Sequence, residues 1–322
     1  MPGEVDGLLT ALEEYGSMSR AEVMQPAIDY AENGVQVSAV LANIIAENYE
    51  VLSTFPASDA IYLTDGFPKQ PGETIVNRDL ANSLRTIAAE GADGFYSGRI
   101  AKSIVDAVQA DGGLITMQDM ADYDVSFREP VTGTYRGYEI ISAPPPSSGG
   151  AHVIELLNIM ENYDLVGMGF NSAESIHTWA EAMKLMYADR AMYMGDSDFT
   201  DVPIKGLTSK QYALDRMTLI DPASAAELQT EGDPWPADSG STTHFSIVDA
   251  AGNMVACTKT ITHFFASGLT APGTGIILND QMADFDQRPG QANSVEGGKK
   301  PLSSMTPTLL LKDGKPFATL GS

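Results

Sequence analysis

The sequence is poor in the residues that build disulfides, metal centres and basic binding surfaces. Its 322 residues include one cysteine, Cys257, so an internal disulfide is excluded. The four histidines lack metal-type spacing with carboxylates or with Cys257, so we expect no metal and no other cofactor. Only 19 lysines and arginines stand against 43 aspartates and glutamates, and the formal net charge of −24 argues against nucleic acid as a partner.

Long apolar runs are also scarce. The first residues, Met-Pro-Gly-Glu-Val-Asp, lack the basic and apolar regions of a signal peptide. We predict no membrane span in this chain. The acidity has a further consequence, because any site for an anionic substrate would need positive charge supplied locally.

What the sequence does contain is a hydroxyl residue at the head of a strand-like run. Thr242 opens the β-branched stretch that continues to Val248, directly after a turn-rich loop at 231–240. Cleavage of the Ser241–Thr242 bond would free an α-amine with a pKa of about 7.7–8.0, which can act as a base near neutrality without a histidine. The pattern indicates an N-terminal nucleophile. The alternative is an ordinary edge strand rich in threonine.

The turn after this strand predicts which residue faces Thr242. Asp249-Ala-Ala-Gly-Asn253 separates the first strand from a second apolar run, so the two read as a β-hairpin. If Asp249 pairs with Asn253, Thr260 lies directly across from Thr242, with Cβ atoms about 4.5–5.5 Å apart. A slip of one residue would move Thr260 to the other face.

Apolar periodicity places helices in the first two thirds of the chain and strands in the last third. Tyr135 to Ser142 reads as a strand that leads into a turn at Pro144 to Gly150, and Ser172 begins a long helix. Further helices are predicted at about 5–15, 20–33, 37–50, 78–90, 98–110 and 151–162. This segregation predicts an α+β layered sandwich in which helices cover two stacked sheets.

Four ordered motifs resemble the γ-glutamyltranspeptidase family. They are Thr242-Thr-His-Phe-Ser with its Asp-x-x-Gly-Asn turn, Gly275 to Phe285, Pro301 to Thr308, and the upstream Tyr135 to Tyr138 with Ala143 to Gly150. The similarity extends over essentially the whole chain. It implies an N-terminal-nucleophile hydrolase αββα sandwich, incomplete here, with residues 1–241 as large-subunit part and 242–322 as small-subunit part of one intertwined domain.

The resemblance assigns the catalytic chemistry to threonines. It implies that Thr242 cuts the chain after Ser241 and then serves as the nucleophile, and that the Thr260 hydroxyl assists it. Thr262 stands where many members carry an asparagine that binds the substrate. Its hydroxyl can still accept a hydrogen bond, but it is shorter and lacks the amide.

The resemblance also implies how a γ-glutamyl group would be held. Gln281 and Asp284 match contacts to the substrate α-amine, while Ser303 and Ser304 match contacts to its α-carboxylate. These residue types suit their partners, because a carboxylate binds an ammonium and serines donate to a carboxylate. The alternatives are a loop-capping aspartate and a serine turn before Thr306.

Other features bear on how the site is completed. Lys299 and Lys300 are the nearest cations in sequence to the serine pair, although a solvated charged loop is the alternative. The segment 286–300 is shorter than in members with a tyrosine-bearing lid, which predicts an open site that favours hydrolysis. The family's substrate-binding arginine and its Pro-Gly-Gly oxyanion loop are expected beyond the two ends, so we interpret the chain as a fragment.

The resemblance therefore predicts a self-processing enzyme that cleaves γ-glutamyl amides such as glutathione through a γ-glutamyl-threonine ester. Water, an amino acid or a peptide would accept the acyl group, and the two cleavage products would remain together as a heterodimer. A periplasmic or secreted location is implied by resemblance alone. The alternatives are a related acylase, a poly-γ-glutamate depolymerase, or an inactive remnant that only binds γ-glutamyl compounds.

Overall fold

The computed structural model describes residues 2–227 and 242–322, which fall into two compact units. One contains the residues up to Phe127 together with Ile261–Asp280, and the other contains Arg128–Thr260 together with Gln281–Ser322. Each unit thus combines residues from both sides of Thr242. The mixture of helices and strands is α+β, as predicted.

The first unit is mainly helical, and local capping explains where its helices begin. The Ser19 hydroxyl accepts from the Glu22 amide while the Glu22 carboxylate accepts from the Ser19 amide, which is a capping box. Asn77 accepts from the Leu80 amide in the same way. The helices are α1 (Glu4–Tyr15), α2 (Arg20–Asn33), α3 (Ala39–Glu47), α4 (Tyr49–Thr54), α5 (Pro56–Tyr62), α6 (Arg78–Glu90), α7 (Ala92–Tyr96), α8 (Arg99–Ala110) and α9 (Met117–Ala121).

Short antiparallel strand pairs and a buried apolar cluster complete this unit. The strands are β1 (Val35–Gln36), β2 (Leu63–Thr64), β3 (Phe67–Pro68), β4 (Thr74–Ile75), β9 (Thr270–Ala271) and β10 (Ile276–Ile277). They pair as β1 with β4, β2 with β3 and β9 with β10. Phe95, Ile100, Ile104 and Met120 form the buried centre of the cluster and pack with Ala271.

The second unit is built on an antiparallel sheet. Its strands are β5 (Val131–Tyr135), β6 (Tyr138–Ser142), β11 (Thr308–Lys312) and β12 (Lys315–Leu320), which hydrogen-bond in the order β12, β11, β6, β5. A separate hairpin is formed by β7 (Thr242–Val248) and β8 (Met254–Thr260). The helices are α10 (Gly149–Met160), α11 (Leu165–Met168), α12 (Ala173–Tyr193), α13 (Ile204–Leu207) and α14 (Lys210–Met217). Ile154 of α10 packs on Val131 and Ile140 of the sheet, so the apolar side of the helix covers the sheet.

Two predicted elements are divided in the structure. The strand expected over Tyr135–Ser142 is interrupted by a hairpin turn after Tyr135 and resumes as β6, because Arg136 and Gly137 both adopt positive φ, at 47° and 85°. Positive φ at both central residues is the requirement of a tight two-residue hairpin turn. The helix expected at 37–50 is α3 and α4, which are interrupted at Asn48, whose ψ of 18° and side-chain bond to Ile44 O close the first helix.

Candidate active site

The register of the β7–β8 hairpin is the one that the turn predicts. The Asp249 amide donates to Asn253 O at 3.1 Å, and the Asp249 carboxylate accepts from the Ala251 and Asn253 amides at 2.9 and 2.8 Å. With the turn closed in this way, Thr242 pairs with Thr260. The two threonine side chains therefore stand on the same face at the open end of the hairpin. Thr242 is exposed to solvent, and Thr260 is half-buried.

His244 lies on this same face, because it is two residues along the strand from Thr242. Its Nδ1 is 2.7 Å from Thr258 Oγ1 and its Nε2 is 2.9 Å from Ser246 Oγ, so both ring nitrogens have hydroxyl partners. The histidine is half-buried, as expected for a packed strand residue. Its hydrogen bonds fix the ring beside the hydroxyl pair.

The end of β12 connects this face of the hairpin to the serine segment. A Cβ on Gly321 would lie 2.5 Å from His244 Cε1 and 2.7 Å from Thr306 O, so only glycine fits between them. The Thr306 amide also donates to Ser322 O at 2.8 Å. The residues just after Ser304 are therefore held close to the face that carries Thr242.

Gln281 and Asp284 form the ends of one short 3-10 helix, Gln281–Asp284. A 3-10 helix has three residues per turn, so side chains at positions i and i+3 lie above one another. This geometry places the amide of Gln281 and the carboxylate of Asp284 on the same side. Both residues are half-buried.

Asn293 joins the Asp284 backbone to the serine segment. Its Nδ2 donates to Asp284 O at 2.7 Å, and its Oδ1 accepts from the Leu302 amide at 2.9 Å. Leu302 is buried immediately before Ser303. One side chain thus ties together the two groups that the resemblance assigns to the α-amine and the α-carboxylate. No local pattern in the sequence indicates this role of Asn293.

The serine pair rests on the turn before α10. The Ser303 amide donates to Pro146 O at 3.1 Å, and Ser303 O accepts from the Ser148 amide at 2.8 Å and from the Ser148 hydroxyl at 2.9 Å. The predicted turn at Pro144 to Gly150 is thus present, and it also holds Ser303. Ser303 is half-buried and Ser304 is exposed, so Ser304 presents its hydroxyl to solvent.

The glycine at the start of α10 is required by this close contact. A Cβ on Gly149 would lie 2.2 Å from Thr306 Oγ1, 2.7 Å from Met305 O and 2.9 Å from Ser304 O. These distances are far below van der Waals contact with backbone atoms. Gly149 therefore lets the helix approach the backbone of the serine segment.

The positive charge at the serine pair comes from a residue distant in sequence. Arg190, on α12, donates from Nε to Ser148 Oγ at 3.0 Å and from Nη2 to Ser304 Oγ at 3.1 Å. Lys299, which the sequence suggested, instead places its Nζ 5.9 Å from the centre of the Phe199 ring. The Lys300 amide donates to the Asp196 carboxylate at 2.9 Å.

Two further predicted site residues are not among the described residues of the second unit. Ser241 is not among the described residues. Thr262 belongs to the unit that contains Ile261–Asp280, where it is buried and has a φ of 79°. A β-branched residue in the left-handed region is rare and strained, whereas asparagine adopts this region more readily.

We expect Thr262→Asn to stabilise the protein by about 1 kcal/mol, at the lower end of the cost of such backbone strain. The gain follows because asparagine tolerates positive φ and its amide can replace the hydroxyl as a hydrogen-bonding group. The check is the midpoint of urea unfolding of the complete gene product. Thr262→Val, which stays β-branched, is the matched control and should give no gain. Equal or lower stability of the asparagine variant would show that the strain is offset by contacts of the threonine.

The described residues also bear on metal binding and on membrane-spanning helices. Within residues 2–227 and 242–322, no group of three or more His, Cys, Asp or Glu side chains is arranged to hold a metal ion. In the same residues, none of the helices has the length and apolar character needed to cross a membrane.

Comparisons of the sequence with known proteins identify its family. The sequence model of the family described as Gamma-glutamyltranspeptidase matches residues 1–322. The chain is 43% identical over 335 residues to the glutathione hydrolase proenzyme of Escherichia coli (strain K12), which covers 100% of this chain and 58% of that protein. It is 42% identical over 326 residues to the acylase ACY 1 proenzyme of Pseudomonas sp. (strain SE83), with 100% and 57% covered.

A solved structure is similar as well. The γ-glutamyltranspeptidase of Helicobacter pylori superposes with a TM-score of 0.70 at 40% identity, over 75% of this chain and 70% of that chain. The chain spans less than two thirds of the length of the two curated relatives. A match of the family model over every residue, together with identities above 40%, establishes that this chain belongs to the γ-glutamyltranspeptidase family of enzymes.

Proposed function

We propose that the protein carrying this chain is a self-processing γ-glutamyltransferase and hydrolase that acts on γ-glutamyl amides such as glutathione. The observation that carries the proposal lies within the second unit. There the Thr242–Thr260 pair, Asp284 and the serine pair belong to segments joined through Asn293, Thr306 and Gly321.

Thr242 would supply both the nucleophile and the base. Once its α-amine is free, Thr242 Oγ adds to the γ-carbonyl carbon of the donor while the hydroxyl proton passes to that amine. The amide C–N bond then breaks, and the proton leaves with the departing amine. The product is a γ-glutamyl ester of Thr242, which water or the amine of an amino acid or peptide opens in the second half of the reaction. Thr260, directly opposite, would hydrogen-bond to Thr242 Oγ and orient it.

The proposed donor specificity follows from the charges at its α-carbon. The γ-glutamyl group ends in an ammonium and a carboxylate on one carbon. Asp284 and the Gln281 amide oxygen on one side of the 3-10 helix suit the ammonium. Ser303 and Ser304 suit the carboxylate, because hydroxyls can donate to it. Thr262 would contribute less than the asparagine of many relatives.

The proposed function includes cleavage of the chain and assembly of its two products. The chain would be cut between Ser241 and Thr242, and the two products would stay together as a heterodimer in one N-terminal-nucleophile αββα sandwich. Residues 1–241 would form the large-subunit part and residues 242–322 the small-subunit part. By family resemblance, the enzyme would be periplasmic or secreted.

A second candidate function is that of a related acylase. One observation from the sequence and one from the comparisons favour it. Thr262 replaces the asparagine of many family members, and the acylase ACY 1 proenzyme is 42% identical to this chain. An acylase would accept an acyl group without the α-amine. Asp284 argues against this reading, because a carboxylate suits an α-ammonium group that the donor of such an acylase lacks.

The deciding experiment compares two chromogenic anilides, of which one carries the α-amine and the other lacks it. We expect the complete gene product to cleave γ-glutamyl anilide at least about tenfold more efficiently than glutaryl anilide, since Asp284 can form a charged hydrogen bond only with the first. Intact mass after rapid quenching should show one γ-glutamyl group on the fragment that begins at Thr242. Preference for glutaryl anilide would identify an acylase, and turnover of neither would contradict the proposal.

A further inference from the structure

Arg190 links the turn before α10 to the serine pair. It lies in the last turn of α12, and its guanidinium spans from Ser148 to Ser304 through hydrogen bonds of 3.0 and 3.1 Å. Residues 190 and 304 are 114 positions apart in the chain. The planar guanidinium of arginine has N–H donors in fixed directions, so it can hold two hydroxyl oxygens at once. The ammonium of lysine is a point charge on a flexible stem and fixes such a pair less well.

The direction of these hydrogen bonds determines what Ser304 can do. A guanidinium has five N–H donors and no acceptor, so the oxygens of Ser148 and Ser304 must accept from it. Each serine then has its own proton left to donate elsewhere. Ser148 gives its proton to Ser303 O at 2.9 Å. Ser304 is exposed, so its O–H is left to donate toward a group that arrives from solvent.

The charge of Arg190 is maintained although the residue is half-buried. Burial lowers the pKa of the guanidinium, and the negative charge of Asp284 nearby opposes that shift. Arginine remains protonated even so. The proposed donor site therefore contains both a cation and an anion, and the α-carbon of a γ-glutamyl group also carries one charge of each sign.

The neighbours of Arg190 add no second positive charge beside it, and they hold the end of α12 in place. Burial and the positive charge of Arg190 lower the pKa of His152 to about 4, so this histidine is neutral at pH 7. The preceding residue, Asp189, accepts from Tyr212 Oη at 2.9 Å and pairs with Arg216 at 3.1 Å. The guanidinium is thus supported by a fixed backbone.

We propose that Arg190 is a positioning residue of the donor site, which sets Ser304 as a hydrogen-bond donor to the substrate α-carboxylate and supplies positive charge beside the serine pair. This inference rests on the proposed γ-glutamyl specificity. It also explains how a chain with a net charge of −24 attracts an anionic group at this position.

The test measures Arg190→Met, Ser304→Ala and the double variant on two donors. One is γ-glutamyl anilide, and the other is 4-aminobutyryl anilide, which lacks the α-carboxylate. We expect Arg190→Met to raise KM for γ-glutamyl anilide about tenfold, with kcat changed less than about twofold and KM for the second donor unaffected. The double variant should lose clearly less than the sum of the two single losses in free energy, because residues that act partly through one contact are not additive.

Controls separate this inference from the proposed function and from folding. Lys184→Met removes another cation from α12, where Lys184 pairs with Glu181 at 2.7 Å, and should leave both KM values unchanged. If the wild type does not cleave γ-glutamyl anilide, the proposed function fails. If the wild type is active but Arg190→Met affects both donors equally or adds fully to Ser304→Ala, the positioning role fails. Should Arg190→Met not fold, Arg190→Lys is measured instead, and the same comparison of KM on the two donors decides.

Discussion

Thr242→Ala is expected to leave the complete gene product as a single uncut chain and to lower its activity on γ-glutamyl anilide by at least about 10³-fold. In the proposed self-cleavage, Thr242 Oγ attacks the carbonyl carbon of residue 241 and the peptide C–N bond breaks. Water then opens the ester and leaves a carboxylate at residue 241 and an α-amine at Thr242. Alanine has no oxygen to attack, so both the cut and the nucleophile are lost. Intact mass and N-terminal sequencing measure the cut.

The neighbouring threonine provides a matched control for this prediction. Thr243 is also exposed, but it pairs with Lys259 and points to the opposite face of the hairpin. Thr243→Ala should therefore be cut at the same bond. Thr242→Ser keeps a hydroxyl and should be cut more slowly than the wild type. A new terminus at residue 242 of the Thr242→Ala variant, formed at the normal rate, would mean that Thr242 is not the attacking group.

The hairpin shows what the sequence could predict. Its register depends on one turn, and the residues of that turn specify their own hydrogen bonds. Asp249 accepts from two amides of the turn, and Gly252 takes a φ of 88° that glycine adopts without strain. Since side chains alternate along a strand, closing the turn also decides which threonine faces Thr242. Local chemistry was sufficient here.

Other parts of the structure depend on contacts that local patterns do not encode. The Arg136-Gly137 turn was missed because alternation continues on both sides of it, so Tyr135 to Ser142 reads as one strand. The contact between Arg190 and Ser304 joins α12 to a loop 114 residues away. Lys299 was suggested because it is near the serine pair in sequence, yet it lies over Phe199. Proximity in the chain is a poor guide wherever tertiary packing determines the neighbours of a charge.

Gln281 and Asp284, on the α-amine side of the proposed donor site, were also only partly predictable from the sequence. They are three positions apart, and a 3-10 helix brings them to one side. The sequence contained both residues, but the helix type that aligns them was not predicted. The anchoring by Asn293 comes from the segment that was interpreted only as a shortened lid. Residues outside the family motifs therefore position residues inside them.

Asp284→Asn is expected to lower kcat/KM for γ-glutamyl anilide roughly 10- to 160-fold while changing glutaryl anilide much less. A hydrogen bond that involves a charged group contributes about 1.5–3 kcal/mol, and asparagine keeps the shape of the side chain but not its charge. Glutaryl anilide lacks the ammonium, so the carboxylate gives it no such bond.

The control for this variant comes from the same segment. Asp286→Asn removes a charge two residues away, where Asp286 pairs with Arg288 at 2.8 Å, and should leave the ratio between the two donors unchanged. A loss of equal size on both donors in Asp284→Asn would show that Asp284 acts on the fold of the segment through its neighbours. A loss confined to the γ-glutamyl donor would assign to this carboxylate the distinction between an enzyme of γ-glutamyl amides and an acylase of the same family.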